Sequence, residues 1–190
     1  MTVQTRSPKL QTLFEILSQR SFKRGTFTLA SGKTSTYYMD GRLTTLSADG
    51  SKIIGELLFE HLGPLKLDAV GGMTMGADPI VTAVTVESAR QGQPIDGFLV
   101  RKEAKGHGTK KQVEGNLKDG DRVVLLEDVM TTGGTVLQAA QAVRQAFPQV
   151  DIVKVVTLVD RNEGGVEATR ATLAEAGLAY EALLTIEAFL

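Results

Sequence analysis

The stretch VVLLEDVMTTGGTV, residues 123–136, is an apolar run that meets two acids and then breaks into threonines and glycines. Beyond it Val136, Leu137, Ala140, Val143 and Phe147 recur at helical spacing until Pro148 stops the pattern. The reading is therefore strand, tight polar loop, helix. A strand that is apolar at nearly every position is buried on both faces, and helices must cover it.

The same alternation extends in both directions. Ser7 and Pro8 form a cap and first-turn pair ahead of Leu10, Leu13, Phe14 and Leu17. Ser47 precedes a second periodic stretch, Ile53, Ile54, Leu57, Leu58 and Leu62, closed by Gly63 and Pro64. LDAVGG (67–72) reads as a strand ending in glycines, and Pro79 opens a helix through Ile80, Val81, Val84 and Val86. Further strands are expected at 97–102, 152–161 and 179–186, with a helix between the last two ended by Gly177. The fold class is thus α/β, a mostly parallel sheet flanked by helices, with the first 45 or so residues as an appendage ahead of it. In such sheets ligands bind at the carboxyl ends of the strands. The exits there are GGMTMG (71–76), RKEAKGHGTKK (101–111), EDVMTTGGT (127–135) and DRNEGG (160–165).

Composition removes several classes of function. The 190 residues suit one compact domain, and 21 basic residues against 22 acidic ones leave no global footprint for nucleic acid or an anionic membrane. No apolar run approaches the roughly 18 residues that span a bilayer, and the first residues lack the apolar stretch of a secretory signal, so a cytoplasmic protein is expected. The absence of cysteine rules out disulfides and thiolate chemistry. Two isolated histidines argue against a zinc site, and His61, inside a helix, reads as structural or exposed.

The quoted loop has its own chemistry. Thr131, Thr132, Gly133, Gly134 and Thr135 lie between a strand and a helix, where free amides and the helix dipole attract an anion. The stretch is neither G-x-x-x-x-G-K-[ST] nor G-x-G-x-x-G. In a dinucleotide fold the ribose-binding acid comes about 20 residues after the glycines, whereas Glu127 and Asp128 come just before them. A ligand carrying a diol a few ångströms from a phosphate satisfies both groups, which describes a ribose 5-phosphate. The competing reading is two acids that only cap a helix.

VVLLEDVMTTGGT resembles the signature of type I phosphoribosyltransferases. FTLASGKTSTYYMDGR (27–42) is similar to the amino-terminal motif of the orotate subfamily, F-T-L-x-S-G-x-x-S-x-Y-Y-x-D, and RKEAKGHGTKKQVEG (101–115) to its catalytic loop, R-K-x-x-K-x-H-G. The resemblance implies the type I phosphoribosyltransferase fold in one domain over 1–190, with an N-terminal hood over 1–45 and a mobile basic flap over 101–115. It also implies transfer of the phosphoribosyl group of 5-phosphoribosyl 1-diphosphate (PRPP) to N1 of orotate with Mg²⁺ as cofactor, giving orotidine 5-monophosphate and diphosphate.

The site residues follow from the same resemblance. Glu127 and Asp128 meet the ribose hydroxyls, and Val129, Met130, Thr131, Thr132, Gly133, Gly134 and Thr135 complete the PRPP loop. Arg101, Lys105 and His107 reach PRPP across a homodimer interface, while Lys102 serves its own subunit. Lys105, His107 and Asp128 are the catalytic candidates, and no metal-ligating residue is assigned. Tyr38, Met39 and Thr131 enclose the pyrimidine, and Arg161 takes the orotate carboxylate. By residue chemistry alone, Arg161 could instead pair with Asp160 or Glu163, and the flap, with five basic side chains and one acid between Arg101 and Gln112, could be a solvated charge run. Two positions depart from the family pattern, since Ala30 and Met75 stand where lysine is common. A transferase for another base and an RNA-binding regulator on the same fold remain as alternatives.

Overall fold

The computed structural model describes residues 6–28, 32, 34–103, 111–163 and 166–190. Its elements run in the order α1 (Pro8–Arg20), β1 (Phe22–Thr28), β2 (Thr34–Met39), α2 (Arg42–Thr45), α3 (Ala48–Leu62), β3 (Ala69–Met73), α4 (Asp78–Arg90), β4 (Asp96–Val100), β5 (Val113–Gly115), β6 (Arg122–Met130), α5 (Gly134–Ala146), β7 (Asp151–Asp160), α6 (Val166–Glu175) and β8 (Tyr180–Thr185). The main sheet has the order β5-β4-β3-β6-β7-β8, parallel except where β5 pairs antiparallel with β4.

The expected helix starts form as the sequence indicates. Ser7 Oγ accepts from the Leu10 amide and Ser47 Oγ from the Gly50 amide, each satisfying a donor that the first turn leaves free. On one sheet face α1, α3 and α4 bury Leu13, Leu17, Ile54, Leu58 and Val84 against Val70, Val124, Leu126 and Leu158. On the other, α5 lays Val136, Ala140 and Val143 over Leu125 and Val155, joined by Leu173. Leu158 is 1% exposed, and truncating a leucine at such depth to alanine costs about 2–5 kcal/mol.

Four features depart from the sequence reading. β6 runs two residues past the acids, because Val129 and Met130 still pair with Val159 and Asp160 of β7. β4 ends two residues early, at Val100. The far end of the stretch read as the flap is itself sheet, with Val113 opposite Val100 and Gly115 opposite Phe98. The amino-terminal segment contains a β1–β2 hairpin that the sequence did not suggest, since most of β1 is exposed and shows no alternation. It is not a detached appendage. Leu13 and Leu17 belong to the main core, and Phe189 packs its ring 5.0 Å from Phe14 and 5.6 Å from Phe22. Among the described residues, no helix is long and apolar enough to cross a membrane.

Candidate active site

The carboxyl ends of β3, β4, β6 and β7 open onto one cleft in two halves. The first, about 800 Å³, is lined by Thr74, Met75 and Gly76 after β3, Arg101, Lys102 and Glu103 after β4, and Glu127, Asp128 and Thr135. The second, about 610 Å³, is lined by Tyr38, Met39, Asp40 and Gly41 from the hood, with Val129, Thr131, Arg161 and Glu163. Arg42 and Asp128 border both.

Adjacent residues of a strand normally face opposite sides of the sheet, yet Glu127 and Asp128 both reach the first half. Their convergence is visible at Gly76, where an added Cβ would lie 2.8 Å from Asp128 Oδ1 and 2.9 Å from Glu127 Oε1. A Cβ on Gly41 would lie 2.7 Å from Asp128 Oδ2. Asp128 is therefore held between two glycine backbones, one from the hood and one from the turn after β3. Glu127 is 8% exposed, and burial, followed by the charge of Asp128, pushes its carboxyl up to about 8. Burial thus favours the protonated form of Glu127 over the carboxylate. A protonated carboxyl both donates and accepts while a carboxylate only accepts, so the pair suits two hydroxyls that themselves do both.

After Met130 the chain turns through Gly133, whose φ of 86° is a left-handed conformation that glycine adopts without strain, and enters α5. The amides of Thr132, Gly133, Gly134 and Thr135 have no hydrogen-bond acceptor among the described residues. They form the anion site expected at a helix start. Thr131 faces the second half and Thr135 the first. The Met130 side chain, 2% exposed, packs into the core under α5, and its carbonyl accepts from the Arg161 amide at 2.9 Å. That leaves no side-chain contact for PRPP there.

Arg161 stands in the second half with its guanidinium 5.5 Å from the Tyr37 ring centre. Nη2 is 2.9 Å from Glu163 Oε1, whereas Asp160 is fully buried and accepts instead from the Tyr180 hydroxyl and the Asn162 amide, each at 2.7 Å. Tyr38 is 38% exposed in the cleft, its ring 5.6 Å from Phe27. Met39 is 5% exposed, so its side chain serves the core and only its backbone is free to line the site. His61 lies outside the cleft, 3.1 Å from Glu181.

The flap is described at its two ends. The Arg101 amide donates to the Gln112 carbonyl at 2.9 Å, and Gln112 Nε2 donates to the Arg101 carbonyl at 3.0 Å. Lys105 and His107 lie outside the described residues, as does Ala30. Met75 is 66% exposed at the cleft.

Residues that the sequence reading did not select also belong to the site. Arg42 makes a two-pronged ion pair with Asp40, at 3.0 and 3.1 Å, which holds the Asp40 carboxyl below its usual range. It ends the 27–42 motif, and that position was its only signal. Gly76 closes GGMTMG, and Tyr37 neighbours the selected Tyr38; neither role follows from residue type. Among the described residues, no three His, Cys, Asp or Glu side chains converge as a metal cage. Glu127 and Asp128 fit Mg²⁺ only as part of an octahedron whose remaining positions ligand oxygens and water would fill.

A parallel sheet with an acid pair and an open amide loop at one strand exit defines a phosphoribosyl transferase domain, and residues 49–171 match the family of that description. An orotate phosphoribosyltransferase from Synechocystis is 47% identical over 177 residues, covering 93% of this chain and 86% of its own length. The Mycobacterium tuberculosis orotate phosphoribosyltransferase superposes with a TM-score of 0.82 in its Fe(III) dicitrate complex, at 37% identity, and 0.78 in its PRPP complex, at 34%. Each superposition covers 96% of this chain and 99% of the other. The chain belongs to the orotate phosphoribosyltransferase family.

Proposed function

We propose that the chain transfers the phosphoribosyl group of PRPP to orotate in the cleft between hood and sheet. The observation that carries this reading is one continuous cleft with the acid pair in one half, a nearly buried arginine in the other, and the amide loop running between Thr131 in the second and Thr135 in the first. Orotate N1 bonds to ribose C1 as the bond from C1 to the diphosphate oxygen breaks, and the N1 proton is lost. Negative charge gathers on the departing diphosphate while the sugar becomes cationic, so both signs need stabilising. When bound with PRPP, Mg²⁺ would supply charge neutralisation for the leaving group. Glu127 and Asp128 hold the ribose hydroxyls, the amides of Thr132–Thr135 the 5-phosphate, and Arg161 the orotate carboxylate. Lys105 and His107 would complete the diphosphate site from a partner subunit, with Arg101, while Lys102 serves its own. The near-balanced charge favours a cytoplasmic setting without nucleic acid or an anionic membrane as partner.

The test is diphosphate release from PRPP and Mg²⁺ with orotate, uracil, adenine or hypoxanthine. Only orotate or a carboxylated analogue should turn over rapidly, and Arg161→Ala should raise the orotate KM about 30-fold or more with PRPP binding nearly intact. Equal turnover with uracil removes orotate from the reading. The shared site has its own check. Mixing Lys105→Ala with Asp128→Asn subunits places one intact site in each heterodimer, so about a quarter of wild-type activity should return by random assortment. No recovery after proven subunit exchange would place the flap in its own subunit.

A further inference from the structure

Glu163 brings a carboxylate into the base half of the cleft, where no step of the reaction uses one. Its Oε1 lies 2.9 Å from Nη2 of Arg161. Nε of the same guanidinium is buried and has no hydrogen-bond partner among the described residues. A carboxylate that meets arginine squarely takes two parallel N–H bonds. Glu163 fills one position and leaves a desolvated donor beside it.

The two partners are unequal. The Arg161 side chain is 11% exposed and that of Glu163 38%. The Arg161 backbone is tied to β6 through its bond to the Met130 carbonyl, and the residues on either side of it are joined through the Asn162 amide and the buried Asp160 carboxylate. Tyr180, on β8, holds the second oxygen of that carboxylate. The cation is thus set in place by the sheet, and the acid is the partner that water can release.

From this arrangement we infer that Glu163 is an internal stand-in for the substrate carboxylate, occupying Arg161 in the empty cleft until orotate displaces it. The inference rests on Arg161 being the carboxylate site proposed above. An exchange of one carboxylate for another spares the cleft an unpaired cation against the Tyr37 ring, which would be costly at this depth. It also sets specificity. A base without a carboxylate leaves the Arg161–Glu163 pair closed and gains nothing from the guanidinium. A carboxylated base opens the pair, at an affinity reduced by the fraction of time the pair is closed.

The test is an equilibrium titration with orotidine 5-monophosphate and uridine 5-monophosphate, which share ribose and phosphate and differ only by the carboxylate. It uses the full-length wild type, Glu163→Gln and Arg161→Ala. Glu163→Gln should tighten orotidine 5-monophosphate about three- to tenfold while leaving uridine 5-monophosphate unchanged, so that the ratio of the two affinities widens. Arg161→Ala should collapse that ratio towards one. If Arg161→Ala collapses the ratio but Glu163→Gln leaves it unchanged or narrower, the stand-in role is wrong and the assignment of Arg161 survives. If Arg161→Ala leaves the ratio intact, Arg161 is not the carboxylate site and both conclusions fall. Uridine 5-monophosphate serves as the internal control for folding in each variant.

Discussion

Exchanging Glu127 for Gln together with Asp128 for Asn is expected to lower kcat/KM for PRPP by about 30- to 2,000-fold, since a hydrogen bond to the charged Asp128 contributes roughly 1.5–3 kcal/mol and one to the neutral Glu127 roughly 0.5–1.5 kcal/mol. Initial rates at saturating orotate check this, and a loss smaller than threefold would remove the acids from ribose recognition. Glu127→Gln alone has a second, separable effect. Burial and the neighbouring Asp128 push the folded carboxyl up to about 8, well above the usual carboxylate range near 4.5. A group whose pKa rises on folding contributes stability that is complete below the unfolded value and disappears as pH climbs through the folded one. The wild type should therefore lose Tm between about pH 4.5 and 8 by this route, and Glu127→Gln should not. Parallel thermal melts across that window read the difference, and identical slopes would show that Glu127 is not held protonated.

Gly76→Ala should cost about 100-fold in kcat/KM, the scale on which a displacement near 1 Å in a catalytic constellation acts. The new Cβ would fall 2.8 and 2.9 Å from carboxylate oxygens of Asp128 and Glu127, so either the turn after β3 retreats or the acids rotate away from the ribose. Gly76 borders the cleft, not the core, and the Tm should move little. The control is Gly63→Ala, where an added Cβ has nothing within 4 Å and activity should stay near wild type. If Gly76→Ala retains full kcat/KM, the acids are not held by that backbone.

The parallel sheet was legible because Val123–Leu126 are buried on both faces and leave an unbroken apolar run. The β1–β2 hairpin was not, because it presents charged and exposed residues on much of β1. Within the site, Glu127, Asp128 and the loop through Thr135 stand in one contiguous stretch whose chemistry can be read directly. Gly41, Gly76 and Arg42 cannot be read that way, because their importance lies in what approaches them from another part of the chain. Met130 shows the opposite case. Its place inside the motif suggested a ligand contact, while strand alternation turns its side chain into the core.

Arg42 and Asp128 border both halves of the cleft, with Arg42 itself anchored on Asp40. A substrate in one half changes the field and the steric boundary that the other meets. Thermodynamic linkage then runs in both directions: whatever factor bound PRPP applies to the affinity for orotate, bound orotate applies to the affinity for PRPP. An order of substrate addition, where one is observed, would reflect this shared wall and not two independent sites.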